Sequence, residues 1–112
     1  MSPTGSIAKH LPLSEATYYI MLMLVTPRHG YGVMQQVDQI TDGVVKVGAG
    51  TLYGALSTLE KDELVTMVRK EGRRKFYELT ERGREVLRCH LGRLELMVDN
   101  GRQVMGTKPR GE

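Results

Sequence analysis

The chain has 112 residues with a single cysteine, 40% apolar and 26% charged residues, and a net charge of +3. These values fit one globular domain and exclude an internal disulfide framework. The longest strongly apolar run, Tyr18 to Val25, is eight residues, far short of the roughly 20 that a membrane-spanning helix requires.

Residues 1–12 mix Pro, Gly, Ser and Thr without an apolar run. They do not form a signal peptide and are expected to be a flexible tail outside the fold. With one lone cysteine, the expected location is the cytoplasm. Ser14 is a natural helix N-cap, and Glu15 suits the positive end of the helix. The first helix is then apolar almost all round, so the domain core should cover one side and a partner subunit the other. Pro27 ends it. Arg28-His29-Gly30 reads as a short turn. The second helix runs from about Tyr31 to Ile40, with Val33, Met34, Val37 and Ile40 on its inner face and Gly43 at its end. Val44 to Val47 reads as a short strand or an extended linker.

The stretch Gly48 to Lys61 carries the most information. Leu52, Ala55, Leu56 and Leu59 recur at the spacing of an amphipathic helix. Opposite them lie Gly50, Gly54, Ser57 and Lys61, flanked by Thr51, Tyr53 and Thr58. That far side is small, hydroxylated and basic, with no carboxylate. A helix entering a DNA major groove needs short polar side chains, one or two cations and close approach. The other reading of the same face is a solvated surface.

Leu64 to Lys70 and Lys75 to Leu79 alternate like two strands around Glu71-Gly72-Arg73-Arg74, giving a β-hairpin. Arg69, Lys70, Arg73, Arg74 and Lys75 place five cations in seven residues. Such a run is most often a solvated face. At a hairpin tip directly after a groove-compatible helix, it points to nucleic acid. Thr80 caps a last helix with Glu81 in its first turn. Leu87, Leu91, Leu94 and Val98 form a coiled-coil-like seam, widened by Met97, and Met105 falls one heptad further on. Gly101 is expected to interrupt it. A helix continuing to Met105 would be about 39 Å long, more than a small core needs. The surplus apolar surface argues for a second chain.

In these residues the chain resembles the PadR family of transcriptional regulators. The likeness spans about residues 13–94. It is carried by Tyr31-Gly32, by Gly50-Thr51-Leu52-Tyr53-Gly54-Ala55-Leu56, by Leu59-Glu60-Lys61-Asp62, and by the string from Gly72 to Gly83. The resemblance implies a homodimeric repressor of mainly α fold with a small β-hairpin: a winged helix-turn-helix over 13–79, a C-terminal dimerisation helix over 80–105, and a tail over 106–112. It implies that the third helix enters the major groove while the wing touches the backbone or the minor groove. Two departures stand out. Gly48-Ala49 replaces the Ser-Pro of many members, and the chain lacks the tryptophan with which some short members hold planar drugs.

The expected DNA-contacting residues are therefore Gly50, Thr51, Tyr53, Gly54, Ser57, Thr58, Lys61, Arg69, Lys70, Arg73, Arg74 and Lys75. Those expected at the dimer interface are Leu87, Leu91, Leu94, Met97 and Val98. A small aromatic effector would sit between subunits near Tyr18, Tyr19, Met23, Leu94 and Met97. No catalytic constellation, metal site or cofactor is expected; Cys89 and His90 are adjacent and diverge by about 100° on a helix. Cys89 reads as a core or interface residue. The competing reading is a winged-helix module that binds protein or RNA, whose third helix would usually carry carboxylates or an apolar patch.

Overall fold

The computed structural model describes residues 7–107. Its elements are α1 (Glu15–Met23), β1 (Arg28–His29), α2 (Gly30–Ile40), α3 (Ala49–Lys61), β2 (Val65–Glu71), β3 (Arg74–Leu79) and α4 (Glu81–Met105). The fold is mainly α with one small antiparallel sheet, strand order β1-β3-β2.

Capping chemistry sets the helix starts. The Ser14 hydroxyl accepts from the Thr17 N–H at 3.1 Å, and the Thr80 hydroxyl accepts from the Gly83 N–H at 3.0 Å. For α2 the cap is His29, whose Nδ1 accepts from the Gly32 N–H at 3.3 Å. Gly48 precedes α3 and gives it no side-chain cap. The core is built where the apolar stripes meet. Ile20, Met21 and Leu24 come from α1 and its C-cap, Val33 and Val37 from α2, and Leu52, Leu56 and Leu59 from α3. Leu64, Val65 and Leu79 close the base of the hairpin, and Val86 and Leu87 add the start of α4. Each such side chain stabilises the fold by about 1.5–3 kcal/mol when fully buried.

Several expectations are corrected. Residues 7–12 are not a loose tail. Ile7 is buried in the core, Leu11 and Leu13 pack against it, and His10 lies 3.8 Å from the Asp62 carboxylate. Burying an isoleucine offsets the ordering of a short segment. The rest of that expected tail, 1–6, and residues 108–112 of the C-terminal one lie outside the described residues. Arg28-His29 is not a turn but a strand that pairs with Tyr77 and Phe76. Ile40 is exposed rather than on the inner face, while Val44 to Val47 take the linker alternative and form no strand. Gly101 does not interrupt α4, because a helical glycine costs only about 1 kcal/mol. The helix ends at Gly106, whose φ of 73° makes a left-handed C-cap.

Gly83 determines how α4 meets the hairpin. A Cβ there would collide with the Leu64 carbonyl. That carbonyl accepts the Thr80 N–H at 3.0 Å, and the Thr80 hydroxyl donates to the Glu63 carbonyl at 2.7 Å. The first turn of α4 is thus pinned to the end of the loop that follows α3.

Candidate nucleic-acid interface

On α3 the buried stripe leaves Gly50, Thr51, Tyr53, Gly54, Ser57, Thr58 and Lys61 exposed, all seven residues expected there. A Cβ on Gly50 or Gly54 would meet nothing within 4 Å, so this face is open to close approach. The carboxylate of α3, Glu60, is also exposed. It acts on the Tyr77 phenol, whose pKa is raised first by burial and then by Glu60 and Tyr53. Glu60 therefore lies on the hairpin side of the helix.

The wing turns at Gly72, whose φ of 61° is left-handed and favours glycine. A register shift between Met67 and Arg69 brings Arg69 directly opposite Phe76. Its guanidinium stacks 4.0 Å from the Phe76 ring centroid and pairs with Glu71 at 2.7 Å. Arg69 is thus engaged within the hairpin, unlike the other four wing cations. Lys70, Arg73, Arg74 and Lys75 are exposed and form no ion pair among the described residues. Lys70 and Lys75 face each other across the strands, an arrangement that is unfavourable until an anion joins them.

The structure brings wing and helix together. A cleft of about 360 Å³ is lined by Tyr53 of α3, by Arg73, Arg74, Lys75 and Tyr77 of the hairpin, and by His29, Gly30 and Tyr31 at the start of α2. The last three residues and Tyr77 were not among the expected contacts. Tyr31-Gly32 stood out in the sequence, but periodicity alone does not place it beside the wing. Nor does periodicity show that a two-residue strand carries His29 to Phe76.

The α4 residues expected at a dimer interface divide. Leu87 is buried in the chain's own core and is not free for a partner. Leu91, Met97 and Val98 are exposed and Leu94 is half-buried; Leu96, Val104 and Met105 extend the uncovered apolar surface. Cys89 is exposed rather than packed in the core. Of the expected effector residues, Tyr18, Tyr19, Leu94 and Met97 line a cleft of about 290 Å³ together with Leu13 and His90. Met23 does not line it, because its side chain turns into the core. His90 is buried, and its Nδ1 accepts the Leu13 N–H at 3.3 Å. Burial, followed by the Arg93 charge, lowers its pKa below the usual 6.5. Burial first and Tyr19 second raise that of Tyr18.

Three helices, a hairpin against the third, and a long helix beyond define the winged helix-turn-helix class. Two solved structures share this architecture. A transcriptional regulator from Clostridium thermocellum is 21% identical, with 92% of this chain and 96% of that one covered and a TM-score of 0.72. A PadR family regulator from Eggerthella lenta is 23% identical, covers 94% of each chain and has a TM-score of 0.70. The chain belongs to the PadR-like family of transcriptional regulators, whose family model matches residues 14–89. Members of that family are transcriptional regulators. The transcriptional regulator YqjI of Escherichia coli is 29% identical over 71 residues, 63% of this chain. The chain spans 34% of that relative's length. No helix among the described residues is long and apolar enough to cross a membrane.

Proposed function

We propose that the chain is a homodimeric repressor that binds an inverted-repeat operator in double-stranded DNA. In this reading α3 enters the major groove, the wing holds phosphates, and α4 pairs two copies. The observation that carries it is the cleft where Tyr53 of α3 meets Arg73, Arg74 and Lys75 of the wing without a lining carboxylate. A protein-binding module has no need of such a place, whereas a polyanion does. The exposed Leu91, Met97 and Val98 support pairing through α4. One recognition helix reads too few base pairs to specify a site, so two should lie roughly 34–36 Å apart on one face of the duplex. A small aromatic effector would bind near Tyr18, Tyr19, Leu94 and Met97 and release the DNA. Light scattering at micromolar concentration, followed by selection from a pool of random duplexes, tests the proposal. A dimer that enriches an inverted repeat with half-sites one helical turn apart is expected. A monomer, or a dimer that enriches no duplex, refutes it.

A further inference from the structure

The cleft between the wing and the start of α2 has features that a solvated charge run does not explain. Four elements wall it: His29 ends β1, Gly30 and Tyr31 open α2, Tyr53 projects from α3, and Arg73, Arg74, Lys75 and Tyr77 come from the wing. None of its lining residues is a carboxylate, and none of the three cations has an ion-pair partner among the described residues. Tyr31 is 58% and Tyr53 53% exposed, so neither phenol is there to fill a core. The two hydroxyls are hydrogen-bond donors beside these three cations, with Glu60 acting on the lining Tyr77 but not itself in the lining.

Gly30 explains how Tyr53 reaches this place. A Cβ built on Gly30 would stand 2.6 Å from the Tyr53 hydroxyl oxygen and 2.9 Å from Cζ. Gly30 is helical and its φ is not among the positive ones, so the backbone does not require glycine. What requires it is space: the end of the Tyr53 ring occupies the volume a side chain would take. The missing side chain on α2 and the tyrosine on α3 form one device, and its product is a phenol seated against Gly30 in a cleft shared with the wing cations.

We propose that this cleft seats a single phosphate of the DNA backbone, with the Tyr31 and Tyr53 hydroxyls and the wing cations as its ligands and Gly30 as the residue that admits Tyr53. The inference rests on the DNA-binding reading above. DNA is the source because Tyr53 stands beside Gly50 and Ser57 on the exposed side of α3, at the wing-facing edge of the surface that would enter the groove. A phosphate held at once by wing and helix fixes the register of α3 on the duplex without reading its sequence.

The test starts from a duplex selected by the wild-type chain. Single phosphates are then replaced by neutral methylphosphonates, and binding is measured for wild type, Tyr31→Phe, Tyr53→Phe and Gly30→Ala. Each tyrosine change removes a hydrogen bond to a charged group from both half-sites and should weaken binding about tenfold per half-site, about a hundredfold for the dimer, on selected and unrelated duplexes alike. One position in each half-site should lose affinity when neutralised in the wild type and lose less in each tyrosine variant, where only the wing cations still hold that phosphate. Gly30→Ala should match Tyr53→Phe; the two phenylalanine variants, each lacking only an exposed hydroxyl, decide the matter even if Gly30→Ala fails to fold. Additive losses at every position overturn the proposal, as does a changed ranking of sequences, which would make the tyrosines base readers. Competition by micromolar inorganic phosphate would assign the cleft to a free anion and overturn it too. A wild-type chain that selects no duplex overturns the DNA reading itself, whereas variants that bind like wild type overturn this inference alone.

Discussion

The wing offers a test in which two neighbouring arginines should behave differently. Arg73 is exposed with no ion-pair partner among the described residues, whereas Arg69 is tied to Glu71 at 2.7 Å and stacked on Phe76. In a protein–DNA complex each phosphate neutralised contributes about 0.9 to the slope of log affinity against log salt. The proposed dimer presents Arg73 twice, so Arg73→Ala should make that slope shallower by about 1.8. Raising salt fourfold, from about 50 to 200 mM, should then cost the wild type roughly 12 times more affinity than the variant. Arg69→Ala should leave the slope nearly unchanged, since its charge is already paired within the hairpin. Fluorescence anisotropy on one labelled duplex across that salt range measures both. Equal slope changes for the two variants would show that the Glu71 pair opens on binding. An unchanged slope for Arg73→Ala would show that this residue touches no phosphate.

Ser57→Ala or Lys61→Ala should alter preference among operator variants by about 1–3 kcal/mol where the side chain makes a good base contact; equal losses on specific and random duplexes in a competition assay would contradict that. Gly83→Ala should destabilise the chain by about 1–3 kcal/mol, because the atom it strikes is the backbone carbonyl of Leu64 and cannot rotate away. Gly92→Ala, which meets nothing within 4 Å, should instead stabilise by up to about 1 kcal/mol. Urea unfolding at one fixed protein concentration compares the two, and a stabilised Gly83→Ala would refute the packing argument. Stability should also fall in acid. The folded pKa of His90 is lowered, so the unfolded chain binds more protons as pH drops from the usual 6.5 through the folded value. The contribution is complete above that window and lost below it. His10, lowered chiefly by burial, acts in the same direction. Urea midpoints at pH 7.5 and 5 should differ less in His90→Gln than in wild type; an equal difference would remove His90 as a source.

Local signals were legible. The caps at Ser14 and Thr80, the buried stripe of Leu52, Leu56 and Leu59, and the glycine at the hairpin tip all follow from nearest-neighbour chemistry. What escaped depends on contacts between distant residues. Ile7 sits in a stretch whose composition suggests a tail, and only the finished core shows the space that receives it. β1 has two residues, too few for any alternation to register, and exists because β3 offers a free edge. The heptad through Leu87 is apolar in the sequence and in the structure. Heptad spacing does not say which surface covers a leucine, and here the domain's own core covers Leu87. The tyrosine cleft was hidden for the same reason: Tyr31 and Tyr53 belong to different helices, and the glycine that lets them share a site carries no side chain to advertise it.

The division of α4 bears on how pairing and reading would be joined. Its first ten residues, Glu81 to His90, place Gly83, Val86, Leu87 and His90 in the chain's own core. From Leu91 onward the apolar residues are largely uncovered, over 15 residues or roughly 22 Å. The helix is continuous through Gly92 and Gly101, so no hinge separates the two parts. Its anchored part also grips the loop after α3, through Thr80 on the Glu63 carbonyl and Gly83 under Leu64. The N-terminal segment ties on as well, with Leu13 bonded to His90 and His10 beside Asp62, the C-cap of α3. In the proposed dimer, a change in the crossing of two α4 helices would therefore pass directly to the separation of two α3 helices. A ligand in the cleft beside His90 and Leu94 would press on that lever where it enters the core. Such a ligand could weaken operator binding without touching α3, by shifting half-site spacing away from one helical turn.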